Sequence, residues 1–208
     1  MFKKKNQKKM GIINEGLRNL SISPLDRYPD YKSLSGTEKV GIDYSIETVN
    51  LGSSISIMAP HGGRIEPKTC LIAKKIAADR FNSYCFIGTK KENNRHLHIT
   101  SHRFDEPRAL SMAAVSQVIV TIHACKDEEQ IVFIGGRHQD MCERIICELD
   151  SAGIFCSETE RYRGRHPDNL CNRGALKKGV QLEISRGIRD DIQAVDLLCK
   201  VVSRAMWA

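Results

Sequence analysis

Short apolar runs recur along the chain, and their spacing switches between the two-residue period of strands and the 3.6-residue period of helices. Ser54 to Ala59 alternates, with Ile55, Ile57 and Ala59 on one side, and predicts a strand that breaks on Pro60. Val118-Ile119-Val120-Thr121-Ile122 is a continuous run rich in β-branched residues, the pattern of a strand covered on both faces, and it ends on His123. Shorter strands are predicted within Ile42 to Asn50 and over Tyr84 to Gly88, His96 to Thr100, Ile131 to Ile134, Ile154 to Cys156 and Val180 to Ser185. Helical spacing appears between them. Thr69 is placed to cap a helix running to about Arg80, with Leu71, Ile72, Ile76 and Ala77 as its apolar stripe. A short helix follows Pro107 to Ala114, and another carries Met141, Ile145 and Leu149 and stops near Gly153. Asp190 or Asp191 caps the last one, with Ile192, Val195, Leu198 and Val202 inside. Ser21 to Gly41 reads as an irregular entry, and Glu158 to Lys178 as a long loop carrying Arg161, Arg163, Arg165 and Arg173.

Strands alternating with helices predict an α/β fold: an open, mostly parallel or mixed sheet flanked by helices. The 208 residues suit one such domain, expected over residues 21–208, and no internal repeat is evident. The net charge of +7 directs attention to an acidic partner. Lys3, Lys4, Lys5, Lys8 and Lys9 concentrate it in a leader, residues 1–20, that reads as disordered. Nucleic acid could bind there, although a solvated tail is the simpler reading. No apolar stretch follows the lysines as a signal peptide requires, and none approaches a membrane-spanning length. None of the 8 cysteines forms a C-x-x-C pair, and several lie in apolar runs. A reducing, cytoplasmic setting is expected, and export stays open because cell lysis can release a protein that has no signal.

Chemistry gathers where strands end, as sites in open α/β sheets do. His61 and Glu66 follow the first clear strand, His123 follows the central one, and Glu183 lies late in the last. Two imidazoles and a carboxylate make the ligand set of a catalytic zinc whose fourth position is open to an activated water. A further carboxylate must then carry the proton to the leaving amine. Gly62 and Gly63 would let a loop close His61 and Glu66 on one ion. Plainer readings compete: a strand-end histidine is often structural, and Glu183 could pair with Arg186 or Arg189. His98, mid-strand, reads as a packed core histidine, and His102 is the stronger rival for a site role. His96, His138 and His166 read as surface or structural.

Four blocks occur in one order: Pro60-His61-Gly62-Gly63-Arg64-Ile65-Glu66-Pro67, Leu97-His98-Ile99-Thr100-Ser101, Phe104-Asp105-Glu106-Pro107 and Gln181-Leu182-Glu183-Ile184-Ser185-Arg186-Gly187. Together with Asp26-Arg27-Tyr28, Asp43-Tyr44, Gly135-Gly136 and Asn172, they resemble the poly-γ-glutamate hydrolase family of bacilli and their phages. The resemblance runs from about Asp26 to the C-terminus. It implies a fold similar to zinc carboxypeptidases and the aspartoacylase group, and one zinc per chain on His61, Glu66 and His123. It further implies Glu183 as general base and acid, and cleavage of γ-glutamyl amide bonds in a polyanionic polymer. Lys68-Thr69-Cys70 departs from the family's usual Gly-Thr-Ser, and His102-Arg103 stands where smaller or neutral residues are expected.

A polymer bearing one carboxylate per residue calls for arginine forks. Arg173 beside Asn172 leads, by analogy with carboxylate-clamping Asn-Arg pairs in the carboxypeptidase-like relatives; Arg103, Arg163, Arg161 and Arg165 follow. Two other readings stand against the polymer hydrolase. One is a non-catalytic, basic phage-type binding protein. The other is a zinc deacylase or peptidase acting on a small γ-glutamyl or N-acyl amino acid.

Overall fold

The structure, a computed structural model, describes residues 26–207, so the expected basic leader lies outside the described residues. Seven strands follow in chain order: β1 (Tyr44–Val49), β2 (Ile55–Gly63), β3 (Asn82–Gly88), β4 (Val118–Ala124), β5 (Ile131–Gly136), β6 (Phe155–Ser157) and β7 (Val180–Ile184). They form one sheet in the order β1-β3-β2-β4-β7-β5-β6. The central neighbours β3-β2-β4-β7 are parallel, while β1 on β3 and β5 on β7 are antiparallel. The sheet is mixed, as the pattern of elements requires.

Alternation sorts the strand residues into two cores. Ile57, Ala59, Val118, Val120, Ile122, Val180, Leu182 and Ile184 face one layer of helices. Those helices are α2 (Thr69–Ala77), α4 (Gln139–Ser151) and α6 (Ile192–Ala205). Met58, Tyr84, Phe86 and Ile119 face the other side, covered by α1 (Tyr31–Ser35), α3 (Pro107–Val115) and the loops carrying Leu97, Ile99, Phe104 and Leu170. His123 and Glu183 therefore point away from α2, α4 and α6, toward those loops. A short α5 (Arg186–Asp190), capped by Ser185, lies between β7 and α6.

Several expectations needed correction. β2 does not stop at Pro60 but runs through Gly63 with a register shift. Ala59 pairs with Cys85 and Gly62 with Ile87, so β2 holds one more residue than β3. Proline, lacking an N–H, cannot continue the ladder, which places the bulge here. Thr69 begins α2 rather than capping it; Lys68 holds the cap position, and the Thr69 hydroxyl donates to the Glu66 carbonyl at 2.7 Å. Leu71 and Ile192 are exposed because their helices pack through the adjoining stripe. His96 to Thr100 is no strand: a 3-10 turn over Asn94–Leu97 leads into extended backbone.

Candidate metal centre and active site

Three adjacent parallel strands, β2, β4 and β7, bring His61, His123 and Glu183 to their carboxyl ends. His123 lies directly opposite Glu183 in the β4-β7 register. The bulge in β2 decides the position of His61. Regular alternation would put it with Ile57 and Ala59 against α2, but the extra residue gives that face to Gly62. A Cβ on Gly62 would fall 1.8 Å from the Cys70 sulfur, so only glycine fits there. His61 is turned instead toward His123. Gly63, at φ +66°, reverses the chain, and Glu66 donates its N–H to the His61 carbonyl at 2.8 Å, closing the loop.

The donor atoms converge. His61 Nδ1 lies 3.2 Å from His123 Nδ1 and 3.4 Å from Glu66 Oε1, and His123 Nδ1 lies 3.7 Å from Glu66 Oε2. The outer nitrogens have partners of their own. His61 Nε2 donates to the Ile99 carbonyl at 2.8 Å, and His123 Nε2 meets the Ser101 hydroxyl at 3.3 Å. The first bond leaves His61 Nδ1 as a lone pair facing the Glu66 carboxylate, and when the Ser101 hydroxyl accepts from His123 Nε2, His123 Nδ1 is a second one. Glu66 Oε2 also accepts from Ala124 N–H at 3.1 Å. In that tautomer a divalent cation satisfies all three side chains, where a single proton can bridge only one pair, so the residues fit a metal ion.

His98 joins this set. Its Nδ1 donates to Asp26 Oδ1 at 2.5 Å, which turns Nε2 toward Glu66 Oε1 at 4.0 Å. Its ring lies 4.0 Å from that of His61. One donor atom each from His61, Glu66 and His98 also lie within 4.8 Å of one another. The expectation of a packed core histidine at His98 misses this, because with no strand there, Asp26 sets the ring's direction.

Burial alone would raise the Glu66 carboxyl, but the facing imidazoles, His61 first, hold it well below the usual range. Burial drives Glu183 the opposite way, well above its ordinary value, with the Glu66 charge adding to the effect. Burial lowers His123, keeping it neutral as a ligand must be, and pushes His98 down to about 4. Two neighbouring carboxylates are thus driven apart, one toward an ionised ligand and the other toward a proton carrier. Gln181 Nε2 donates to Glu183 Oε1 at 3.1 Å. The structural alternatives for Glu183 are not realised: Arg186 pairs with Glu128, and Arg189 binds backbone carbonyls.

A cleft of about 1230 Å³ opens over these groups, walled by Arg95, Lys126, Arg161, Arg163, Arg165, His102 and His166. Arg163 and Arg165 make exposed pairs with Glu160 and Glu158, and Arg161 lies over the Tyr162 ring. Other expected substrate residues are occupied elsewhere. Arg173 donates to the carbonyls of Asp168, Phe104 and His102, fastening two loops together. Buried Asn172 donates to the Gly164 and His166 carbonyls and accepts from Gly179 N–H. Arg103 binds Asp26 at 2.5 Å. Asp26 and Gln181 carried no assigned role in the sequence reading, although both stand inside its resemblance blocks.

The sequence model of the poly-gamma-glutamate hydrolase family matches residues 28–196. The chain belongs to that family. UPF0714 protein YndL of Bacillus subtilis (strain 168) is 31% identical over 175 residues, covering 83% of this chain and 69% of YndL. The structure of a bacteriophage poly-gamma-glutamate hydrolase superposes with a TM-score of 0.83 at 30% identity, covering 88% of this chain and 97% of that one. A zinc-free apo structure of YndL gives a TM-score of 0.80 at 26% identity, covering 88% and 98%. Membership in the poly-gamma-glutamate hydrolase family makes this chain a hydrolase, and the mixed sheet is the fold it shares with the phage enzyme. Among the described residues no helix is long and apolar enough to cross a membrane.

Proposed function

We propose that the chain hydrolyses γ-glutamyl amide bonds of poly-γ-glutamate with one zinc held by His61, Glu66 and His123. The observation that carries this reading is the convergence of His61 Nδ1, His123 Nδ1 and the Glu66 carboxylate at 3.2–3.7 Å, beside a second buried carboxylate, Glu183. The zinc-free state named for YndL supports the choice of metal. His123 Nδ1 lies 3.7 Å from the Glu66 carboxylate against 4.0 Å for His98 Nε2, and a fourth protein ligand would close the position a reaction needs.

Zinc bound there would supply Lewis-acid polarisation of the amide carbonyl and acidify a water. Glu183 takes the proton from the attacking water and returns it to the leaving amine, a role its raised proton affinity suits. Gln181 orients that carboxylate through its amide donor. The basic wall of the cleft, Arg161 and Arg163 above all, holds substrate carboxylates; exposed pairs such as Arg163 with Glu160 exchange partners at little cost. A cleft of about 1230 Å³ suits a stretch of polymer better than a single acylated amino acid.

The test measures zinc content and loss of poly-γ-glutamate viscosity on one preparation. Glu183→Gln should retain zinc while turnover falls about 10²–10⁴-fold. Full activity in that variant would remove Glu183 from the mechanism. A preparation that binds no zinc yet cleaves polymer would refute the metal reading.

A further inference from the structure

Arg189 is buried, and its guanidinium reaches three separate segments of backbone. Nε donates to the Ile184 carbonyl at 3.1 Å, one terminal nitrogen to Pro67 at 2.9 Å and the other to Cys125 at 2.8 Å. Each acceptor neighbours a site residue: Pro67 follows Glu66, Cys125 lies two after His123, and Ile184 follows Glu183. The Ile184 carbonyl also accepts from Cys125 N–H at 3.1 Å, so the β4 and β7 ends are joined twice. Lys68 returns the contact from the loop, its ammonium donating to the Arg189 carbonyl.

Burying a guanidinium among carbonyls is a poor source of stability, because losing its hydration costs several kcal/mol. The nearby carboxylates are taken by others: Arg186 pairs with Glu128, and Lys68 lies 3.9 Å from Asp190. What Arg189 supplies is geometry. Its rigid planar fork fixes the relative positions of three carbonyls, which a single ammonium cannot do. We infer that Arg189 is the positioning residue of the metal centre, setting the spacing of the Glu66 loop and the His123 and Glu183 strand ends through their backbones. This rests on the zinc reading above.

The experiment measures zinc affinity by competition with a chromophoric chelator on the full chain, alongside Tm of the chelated protein. Arg189→Lys should weaken zinc binding about 10–100-fold. Ile145→Val, in the core of α4, serves as a destabilised control and should bind zinc like the wild type. Zinc affinity of Arg189→Lys within twofold of wild type, or an equal loss in the Ile145 variant, would overturn the inference. If Arg189→Lys does not fold, hydrogen exchange of the wild type decides. Zinc should then protect amides near residues 66–68, 123–125 and 184–190 together. Protection of the first two alone would reject the clamp. A wild type that binds no zinc refutes the metal reading itself, whereas a zinc-binding wild type with an unaffected variant refutes only Arg189.

Discussion

His98 and His123 compete for one coordination position, and their outer hydrogen bonds distinguish them. His123 meets only a serine hydroxyl, whereas His98 is held by the Asp26 carboxylate. On the assignment of His123 proposed above, His123→Ala is expected to abolish stoichiometric zinc, while His98→Asn should keep it and lose affinity about 10–100-fold; equilibrium dialysis separates the two. Equal loss in both would make His98 a ligand. Asp26 accepts from His98, Thr100 N–H and hydroxyl, and Arg103. Burial would raise its pKa, but those donors, His98 first, hold it at about 2 against an ordinary 3.8. A depressed carboxyl stabilises the fold above its unfolded pKa and loses that contribution as pH falls through its folded value. The contribution is about 2 kcal/mol. Urea midpoints of the chelated protein should place Asp26→Asn well below wild type at pH 7, with the gap closing between pH 4 and 2.

At the scale of elements, β2 is the strand whose irregularity matters. Pro60 and the adjoining bulge turn His61 across the sheet, and Gly62 takes the vacated place against α2. In Gly62→Ala the new methyl meets Cys70 Sγ and, at 2.9 Å, the Phe86 carbonyl, which as backbone cannot swing aside. The expected loss is about 1–3 kcal/mol in thermal or urea unfolding, with weakened zinc binding. An unchanged midpoint would show that the bulge can shift without consequence. The strand-end positions of His123 and Glu183 were readable in advance, and the β4-β7 register sets the two opposite one another. The facing of His61 was not, because a bulge inverts the parity of every residue after it. The extended segment through His98 was also misread. Leu97 and Ile99 are buried by α3 and neighbouring loops rather than by strand pairing, and alternation cannot tell the two apart.

The centre ties the whole molecule together, since its donors come from β2, its following loop and β4, next to β7 at the middle of the sheet. Binding a ligand only in the folded state raises stability by RT ln(1 + [L]/Kd), about 2.7 kcal/mol at a hundredfold excess over Kd. Zinc added to chelated protein should accordingly raise Tm by roughly 5–10 °C, and Glu183→Gln should show the same shift. No shift in either would argue against a site built across these strands.

The sequence by itself determined the periodicities, the open α/β class and the local His61-Gly62-Gly63-Arg64-Ile65-Glu66 closure, because each depends on residues close along the chain. Its ordered blocks also carried the family resemblance. Only tertiary structure decided what the long polar side chains do. Asp26 orients His98 from 72 residues away, and Arg189 reaches Pro67 across 122. Arg173 and Asn172, which resemble a carboxylate clamp in sequence, bind loop carbonyls in the fold. Arginine and asparagine serve equally well as substrate donors and as backbone fasteners. Which role each takes depends on where an unpaired carbonyl lies, and that is settled only when distant segments meet.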